Sequence, residues 1–317
     1  MGTSIITKSK NKFNKVAGVD IPVFIHHEGN SSYVLDCVKQ AEKFNERVIL
    51  FGDKSNVHMC HEWYDVSAFT STLWEEFAKY HSNMSYYSDA YAIQIIKRFF
   101  VFDDFMIKNS IEECICLDSD VLVFVNFSEL SEIKGYEAAF CIPQNQENMR
   151  MAANAGCSYW KQEALHEFLL FCIDIYKNQH YKLEEKWEYH HRNQQPGGVC
   201  EMNLLFWWYE QNSEFIWNWI KYNVSGVVDC SFEISENYLE NEYYMDKYKS
   251  GKRILVRNGL PYFDSIQYGP VRAWAIHFGG GSKMYMHYFR KHLKIAFWIP
   301  YIRSVKSIIK HFILDIV

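Results

Sequence analysis

Apolar positions along this chain fall into two alternating patterns. Unbroken apolar runs occupy 21–25 (IPVFI), 48–51 (VILF, in a predicted strand 47–51 opened by Arg47), 114–117 (CICL) and 273–276 (AWAI). A strand with one wet face would alternate apolar with polar, so continuous runs predict strands buried on both faces. Between them the spacing changes to that of a helix. Val34, Leu35, Val38 and Ala41 share one face of a predicted helix ending near Phe44, capped by Ser31 or Ser32. Ala92, Ile95, Ile96, Phe99 and Phe100 form a wide apolar face on a second helix, 89–108. Strand, helix, strand in this order predicts a parallel sheet.

The pattern continues with a third strand at 64–69, a helix at 72–80, a strand at 121–125, a short helix near Ser128 and a strand at 136–142. Small residues at 151–159 lead into a helix over 161–176. The polar stretch 177–195 is expected to be a loop or mobile flap, with Trp187 or Tyr189 available to stack on a ligand. Pro196-Gly197-Gly198 breaks it, and an apolar helix follows over 201–209. Short strands are expected at 226–230, 253–256 and 273–277. No repeat or linker divides the chain. The expectation is one α/β domain over 20–287 with a mostly parallel central sheet. A disordered lead (1–19) precedes it and a basic amphipathic helical tail (288–317) follows.

Composition narrows the possibilities. With 317 residues and 49% hydrophobic content the chain can bury a large core. A net charge of −5 argues against nucleic acid as a partner. Nine cysteines, an odd number at irregular spacings within apolar runs, predict reduced buried thiols and a cytoplasmic setting. The polar, basic N-terminus has no apolar core of the signal-peptide kind. Aromatic content of 17% fits a heavily aromatic core, an aromatic-lined groove for sugars or a membrane surface alike. From Lys283 onward seven Lys or Arg face one acid, Asp315, and Ile302, Val305, Ile308, Ile309, Phe312 and Ile313 share a helical face. Such a tail reads as an anchor on an anionic membrane, at its inner face. The alternative is a helix docked on the chain's own core or on a second copy in a homodimer.

Against this background the chemistry concentrates in two places. Asp118 and Asp120 end a buried apolar strand, so two carboxylates stand at the rim of a sheet. Hard divalent cations prefer such oxygens, and a cation there can grip a diphosphate. His277 ends another apolar strand and precedes Gly279, Gly280, Gly281 and Lys283. An imidazole is a good third ligand beside carboxylates, glycines let backbone approach phosphate, and the lysine adds a cation. His26, His27 and Glu28 follow the first strand, where α/β sheets bind ligands. Asp53 follows the second strand and either meets the ligand or makes a turn. Arg98 pairs with a phosphate, with an acidic neighbour or with the surface. Glu201 opens a helix, where it serves the reacting centre or the helix dipole. His58, Cys60 and His61 lack a second ligand pair, which leaves a solvated loop as the better reading.

Arg98-Phe99-Phe100 through Ile115-Cys116-Leu117-Asp118-Ser119-Asp120 resembles the core signature of GT-A nucleotide-sugar glycosyltransferases. Ala153-Asn154-Ala155-Gly156 and His277-Phe278-Gly279-Gly280-Gly281-Ser282-Lys283 resemble two further elements of the glycogenin and lipopolysaccharide-galactosyltransferase group, in the same order. The resemblance covers residues 20–290. It implies a GT-A (Rossmann-like) domain and a Mn²⁺ (or Mg²⁺) cofactor held by Asp118, Asp120 and His277. It also implies a UDP-sugar donor meeting Arg98, Ser119, Asn154 and Lys283. A glycan or lipid-linked acceptor, retention of configuration and catalytic roles for Asn154 and Glu201 follow from it as well. The chain departs from the group at Gly198–Asn203, which lacks the usual acidic stretch, and at Met284-Tyr285, which replaces Pro-Trp. Two rival readings stand beside this one. They are a haloacid-dehalogenase-like phosphohydrolase built on Asp118 and Asp120, and a non-catalytic membrane-associated sugar-binding module.

Overall fold

The computed structural model describes residues 20–147, 149–246 and 250–296. The chain forms one α/β body on two sheets. The large sheet has the order β3-β2-β1-β4-β7-β6-β8, from strands β1 (Val23–His27), β2 (Val48–Gly52), β3 (Glu62–Asp65), β4 (Glu113–Asp118), β6 (Ala138–Cys141), β7 (Asn154–Lys161) and β8 (Ile216–Asn218). All its pairings are parallel except the two made by β7, which runs against β4 and β6. This is the mostly parallel sheet expected from the sequence. A smaller sheet carries β10 (Ile254–Arg257), β11 (Leu260–Ser265), β12 (Gly269–His277) and β5 (Val121–Val123), with β9 (Val227–Val228) along β12.

Burial on both faces explains the unbroken apolar runs. Val23 and Ile25 of β1 point into one core while Phe24 points into the other, and β4 divides Ile115 and Leu117 from Cys114 and Cys116 in the same way. Helix α1 (Ser32–Phe44) covers the first face with Val34, Cys37, Val38 and Ala41. Helices α3 (Asp89–Asn109) and α4 (Gln162–Asn178) cover the second, with α2 (Thr72–Tyr80) beside them. There Phe24, Phe51, Phe102 and Phe105 pack with ring centroids 5.0 to 5.6 Å apart, so much of the aromatic content is core. All nine cysteines are free, as the apolar surroundings predicted.

Several elements differ from the expectation. The segment 177–195 is no loop: His180–Arg192 forms helix α5. Its buried positions are Leu183, Lys186 and His190, so its inward face is mostly polar in sequence and hides the helical period. Lys186 and His190 satisfy themselves on the carbonyl oxygen of Met149, and Trp187 packs on Tyr86 with centroids 5.1 Å apart. Residues 154–161, expected only as a small-residue lead into a helix, are a full strand, and the expected helix follows it directly as α4. The third strand starts earlier, at Glu62, and a 3₁₀ turn occupies Val66–Ala68. Strands β8 and β11 were not anticipated.

Helix α6 (Glu201–Asn212) follows the predicted course. The start of the expected tail forms α7 (Met286–Ala296), which docks on α1: Arg290 and His287 both meet Asp36, and Phe289 packs against Phe232 and Phe278. The lead 1–19 and the tail from 297 lie outside the described residues. Among the described residues no helix is long and apolar enough to cross a membrane.

Candidate active site at the junction of the two sheets

The chain leaves the large sheet at Asp118 and enters the small one at Val121, so Asp118 and Asp120 flank the turn where the sheets meet. Antiparallel pairing sets Val121 opposite His277, the last residue of β12. A backbone bond from Phe278 N–H to the Asp120 carbonyl, 2.8 Å, fixes the crossing. The register therefore delivers to one point the residues picked out from opposite ends of the sequence. Asp118, Asp120 and His277 each present a ligand atom, and those atoms lie within 4.8 Å of one another.

Around this cluster the charges are matched. Asp120 Oδ1 is 3.3 Å from His277 Nε2, and its Oδ2 is 3.0 Å from Lys283 Nζ. Burial alone would raise the Asp120 carboxyl, but His277 and Lys283 outweigh it and bring the pKa down to about 2. Burial pulls the His277 imidazole down, and the Asp120 carboxylate overrides that and lifts its pKa to about 9. In this state the imidazolium proton lies between His277 and Asp120.

His277 is held from behind. Its Nδ1 lies 3.0 Å from the Cys230 carbonyl oxygen, which leaves Nε2 for the cluster. Its backbone N–H donates to Asp229 Oδ2 at 3.1 Å. Asp229 in turn pairs with Lys252, and both side chains are wholly buried.

Beneath the carboxylates lies Gly156, on β7. A Cβ there would fall 2.8 Å from Asn154 Oδ1, 3.0 Å from Asp118 Oδ2 and 3.1 Å from His277 Cε1. Only a glycine lets the antiparallel strand pass this close. Asn154 Oδ1 accepts the Gly156 N–H at 2.6 Å, so the Asn154 amide is oriented beside the cluster.

On the α3 side the largely covered Arg98 pairs with Asp118, while its Nη2 lies 3.8 Å from Glu201 Oε1. Burial raises Glu201 to about 7; the Arg98 cation opposes this and the Asp118 charge adds to it. Arg98 Nε and Glu201 Oε2 are buried without a hydrogen-bond partner, as is His27 Nε2. Three unsatisfied polar atoms around one rim are what a polar ligand would complete.

The β1 side holds the remaining predicted residues. His27 Nδ1 is 2.9 Å from Ser119 Oγ, and burial, with Lys283 nearby, lowers its pKa. His26 is buried beside Arg98, and its burial first, then that cation, lower its pKa to about 3, so it is neutral. Its Nε2 lies 3.6 Å from the half-exposed Glu28. Asp53 spends both oxygens on the turn: Oδ2 accepts the Gly29 N–H at 2.8 Å and Oδ1 accepts the Ser55 N–H at 2.8 Å. The glycine turn is braced by a residue the sequence did not flag. Glu233 Oε1 accepts the Ser282 N–H at 2.8 Å, and a Cβ on Gly280 would lie 3.2 Å from Glu233 Oε2. Gly279 and Gly280 are thus brought to the rim by Lys283's own turn, with that N–H already engaged. Lys283 also lies over the Tyr33 ring, 5.0 Å from its centroid.

No protein-family model matches the chain, and no curated protein matches it. Among solved structures it is similar to mouse xyloside xylosyltransferase 1, at 13% identity over 68% of this chain and 87% of that one, with a TM-score of 0.46. It is also similar to the galactosyltransferase LgtC, crystallised with donor and acceptor sugar analogues, at 15% identity over 58% and 69% of the two chains and a TM-score of 0.35. A third is the glycosyltransferase GlyE of Streptococcus pneumoniae, at 13% identity over 63% and 45% and a TM-score of 0.34.

Proposed function

We propose that this chain is a divalent-metal-dependent glycosyltransferase that moves a sugar from a nucleoside diphosphate to an acceptor hydroxyl. One observation carries the reading: two carboxylates and an imidazole converge within 4.8 Å at the carboxyl rim of a parallel sheet, with Lys283 bound to the same Asp120. Two hard oxygen donors and one imidazole, with Nδ1 already engaged, fit Mn²⁺ or Mg²⁺. Asp118, Asp120 and His277 would hold the ion. When bound, it supplies positive charge against the departing diphosphate.

The chain's own groups do the rest. Lys283 places a second cation at the same point and offers it to the phosphate oxygens. Arg98 holds Asp118 in position and bridges toward Glu201. The Asn154 amide, turned by Gly156, offers its N–H donors to the donor sugar. His27 and Ser119 line the β1 side, where the nucleotide would lie. In the transfer the bond from the sugar's anomeric carbon to the phosphate oxygen breaks and a bond to the acceptor oxygen forms. The acceptor proton leaves with the diphosphate, so no strong base is needed in a reaction that retains configuration. Glu201, raised toward neutrality by burial and 3.8 Å from Arg98 Nη2, would meet the reacting sugar.

The finer reading keeps UDP as the nucleotide, a hexose or N-acetylhexosamine as the sugar, and a glycan or lipid-linked acceptor of surface-polysaccharide synthesis. It places the protein at the cytoplasmic face of a membrane, held by the basic tail, with a homodimer as the alternative use of that tail. The test is a panel of nucleotide sugars assayed for manganese-dependent release of nucleoside diphosphate. Release from at least one donor, abolished by a chelator, is expected. Phosphate release from phosphomonoesters without any such activity would replace the reading with a phosphohydrolase.

A further inference from the structure

The carboxyl rim of the large sheet holds a second feature, a cleft of about 220 Å³ on the flank away from β1. Ile142 and Gln144, just past β6, form one wall, and Asn218 and Lys221, at the end of β8, form another. Both strands run parallel to β4, so these loops open on the same edge as Asp118. Phe206 and Tyr209 enter from α6, their centroids 6.3 Å apart. Tyr238 completes the aromatic lining, with Lys221 Nζ 5.0 Å from its ring centroid. Among the described residues no carboxylate lines the cleft.

The strand order gives its distance from the metal cluster. Asp118 ends β4, and β6 is two places and β8 three places from β4, about 10 to 14 Å at normal spacing. Along helix α6, which begins at Glu201 beside Arg98, Phe206 and Tyr209 lie roughly 8 to 12 Å beyond Glu201 at about 1.5 Å per residue. The cleft is also on the opposite flank from His27, Ser119 and Lys283, where the nucleotide would lie.

The walls are rigid where structure needs them and open where a ligand does. Asn218 gives both ends of its amide to the Ile142 backbone, at 3.0 and 2.7 Å. Gln146 is similarly committed, to the Pro143 carbonyl and the Ala152 N–H. The exposed amide of Gln144 and the Lys221 ammonium are left to donate, beside three aromatic faces. Aromatic faces that cover C–H surface, with amide and ammonium donors for hydroxyls, are the chemistry that recognises a sugar ring.

The geometry points to this cleft as an acceptor subsite that binds a sugar ring remote from the reacting hydroxyl, so that the acceptor is an oligosaccharide and not a monosaccharide. The inference rests on the glycosyltransferase reading. It follows because the gap between cleft and metal cluster is longer than one sugar ring.

Saturation-transfer NMR on the full chain, with maltotriose, cellotriose, chitotriose and a uronic-acid trisaccharide beside their monosaccharides, tests it. At least one trisaccharide is expected to bind more tightly than its monosaccharide. Tyr209→Ala should weaken that binding at least tenfold and Tyr209→Phe should keep it. Lys221→Ala, at an exposed position that does not threaten folding, should weaken it severalfold. If no trisaccharide binds the wild-type chain, or if both alanine variants bind as it does, the cleft is not the subsite. Manganese-dependent nucleoside diphosphate release by the wild-type chain is scored separately. Its presence with unchanged trisaccharide binding in the variants overturns the subsite alone, and its absence overturns the function reading.

Discussion

Gly156→Ala tests the site at a residue that neither binds metal nor carries charge. The added methyl would lie 2.8 Å from Asn154 Oδ1, 3.0 Å from Asp118 Oδ2 and 3.1 Å from His277 Cε1. Ordinary contact requires these atoms to retreat by a few tenths of an ångström. Overpacking of this kind costs about 1–3 kcal/mol of stability, which lowers the thermal midpoint of a domain this size by several degrees without unfolding it. Metal coordination is less forgiving, since ligand distances hold to within ~0.2 Å. Two of the three displaced atoms belong to proposed ligands. A disturbance of this kind typically costs about 10- to 100-fold in metal affinity, or ~1.4–2.7 kcal/mol. The assay is Mn²⁺ titration followed by electron paramagnetic resonance, with the thermal midpoint of the metal-free protein measured alongside. A folded Gly156→Ala protein that binds Mn²⁺ as tightly as wild type would refute the packing of β7 under the ligands.

Other perturbations separate the parts of the account. Asp120→Asn removes the carboxylate shared by His277 and Lys283, and calorimetry should show manganese-dependent diphosphate binding lost, with unchanged binding counting against the site. Because His277 keeps its proton up to about pH 9, a metal must displace that proton. Mn²⁺ affinity should therefore rise with pH, approaching tenfold per unit between pH 6 and 8, with about one proton released; a flat profile contradicts this. Lys252→Met leaves Asp229 buried and unpaired and should destabilise the chain by about 3–5 kcal/mol in urea unfolding, while a change within error would mean the pair is solvated. Deleting residues 297–317 should release the protein from anionic liposomes in a sedimentation assay, and retained binding would assign the membrane contact, if any, elsewhere.

The sequence made the parallel strands legible because burial on both faces leaves no polar interruption, as in 114–117. It made Asp118, Asp120, His277 and Lys283 legible because charged residues at the tips of such strands stand out. Strand β7 was hidden because Asn154–Ser158 is built from small residues, chosen for close approach at Gly156 and not for strand propensity. Helix α5 was hidden because Lys186 and His190 occupy inward positions that hydrophobic periodicity assigns to apolar residues. The supports of His277 left no trace at all. Cys230 contributes through its carbonyl, which no side chain advertises, and Asp229 finds Lys252 only through the path of the smaller sheet. Glu233 at the glycine turn is likewise a product of tertiary folding.

The most direct test is a crystal structure of the chain with Mn²⁺ and UDP, using anomalous scattering at the manganese edge. The account predicts one strong peak coordinated by Asp118, Asp120 and His277 Nε2 and by both phosphates, with Lys283 on the diphosphate. A diphosphate bound with its manganese elsewhere, or no peak at these three side chains, would contradict it.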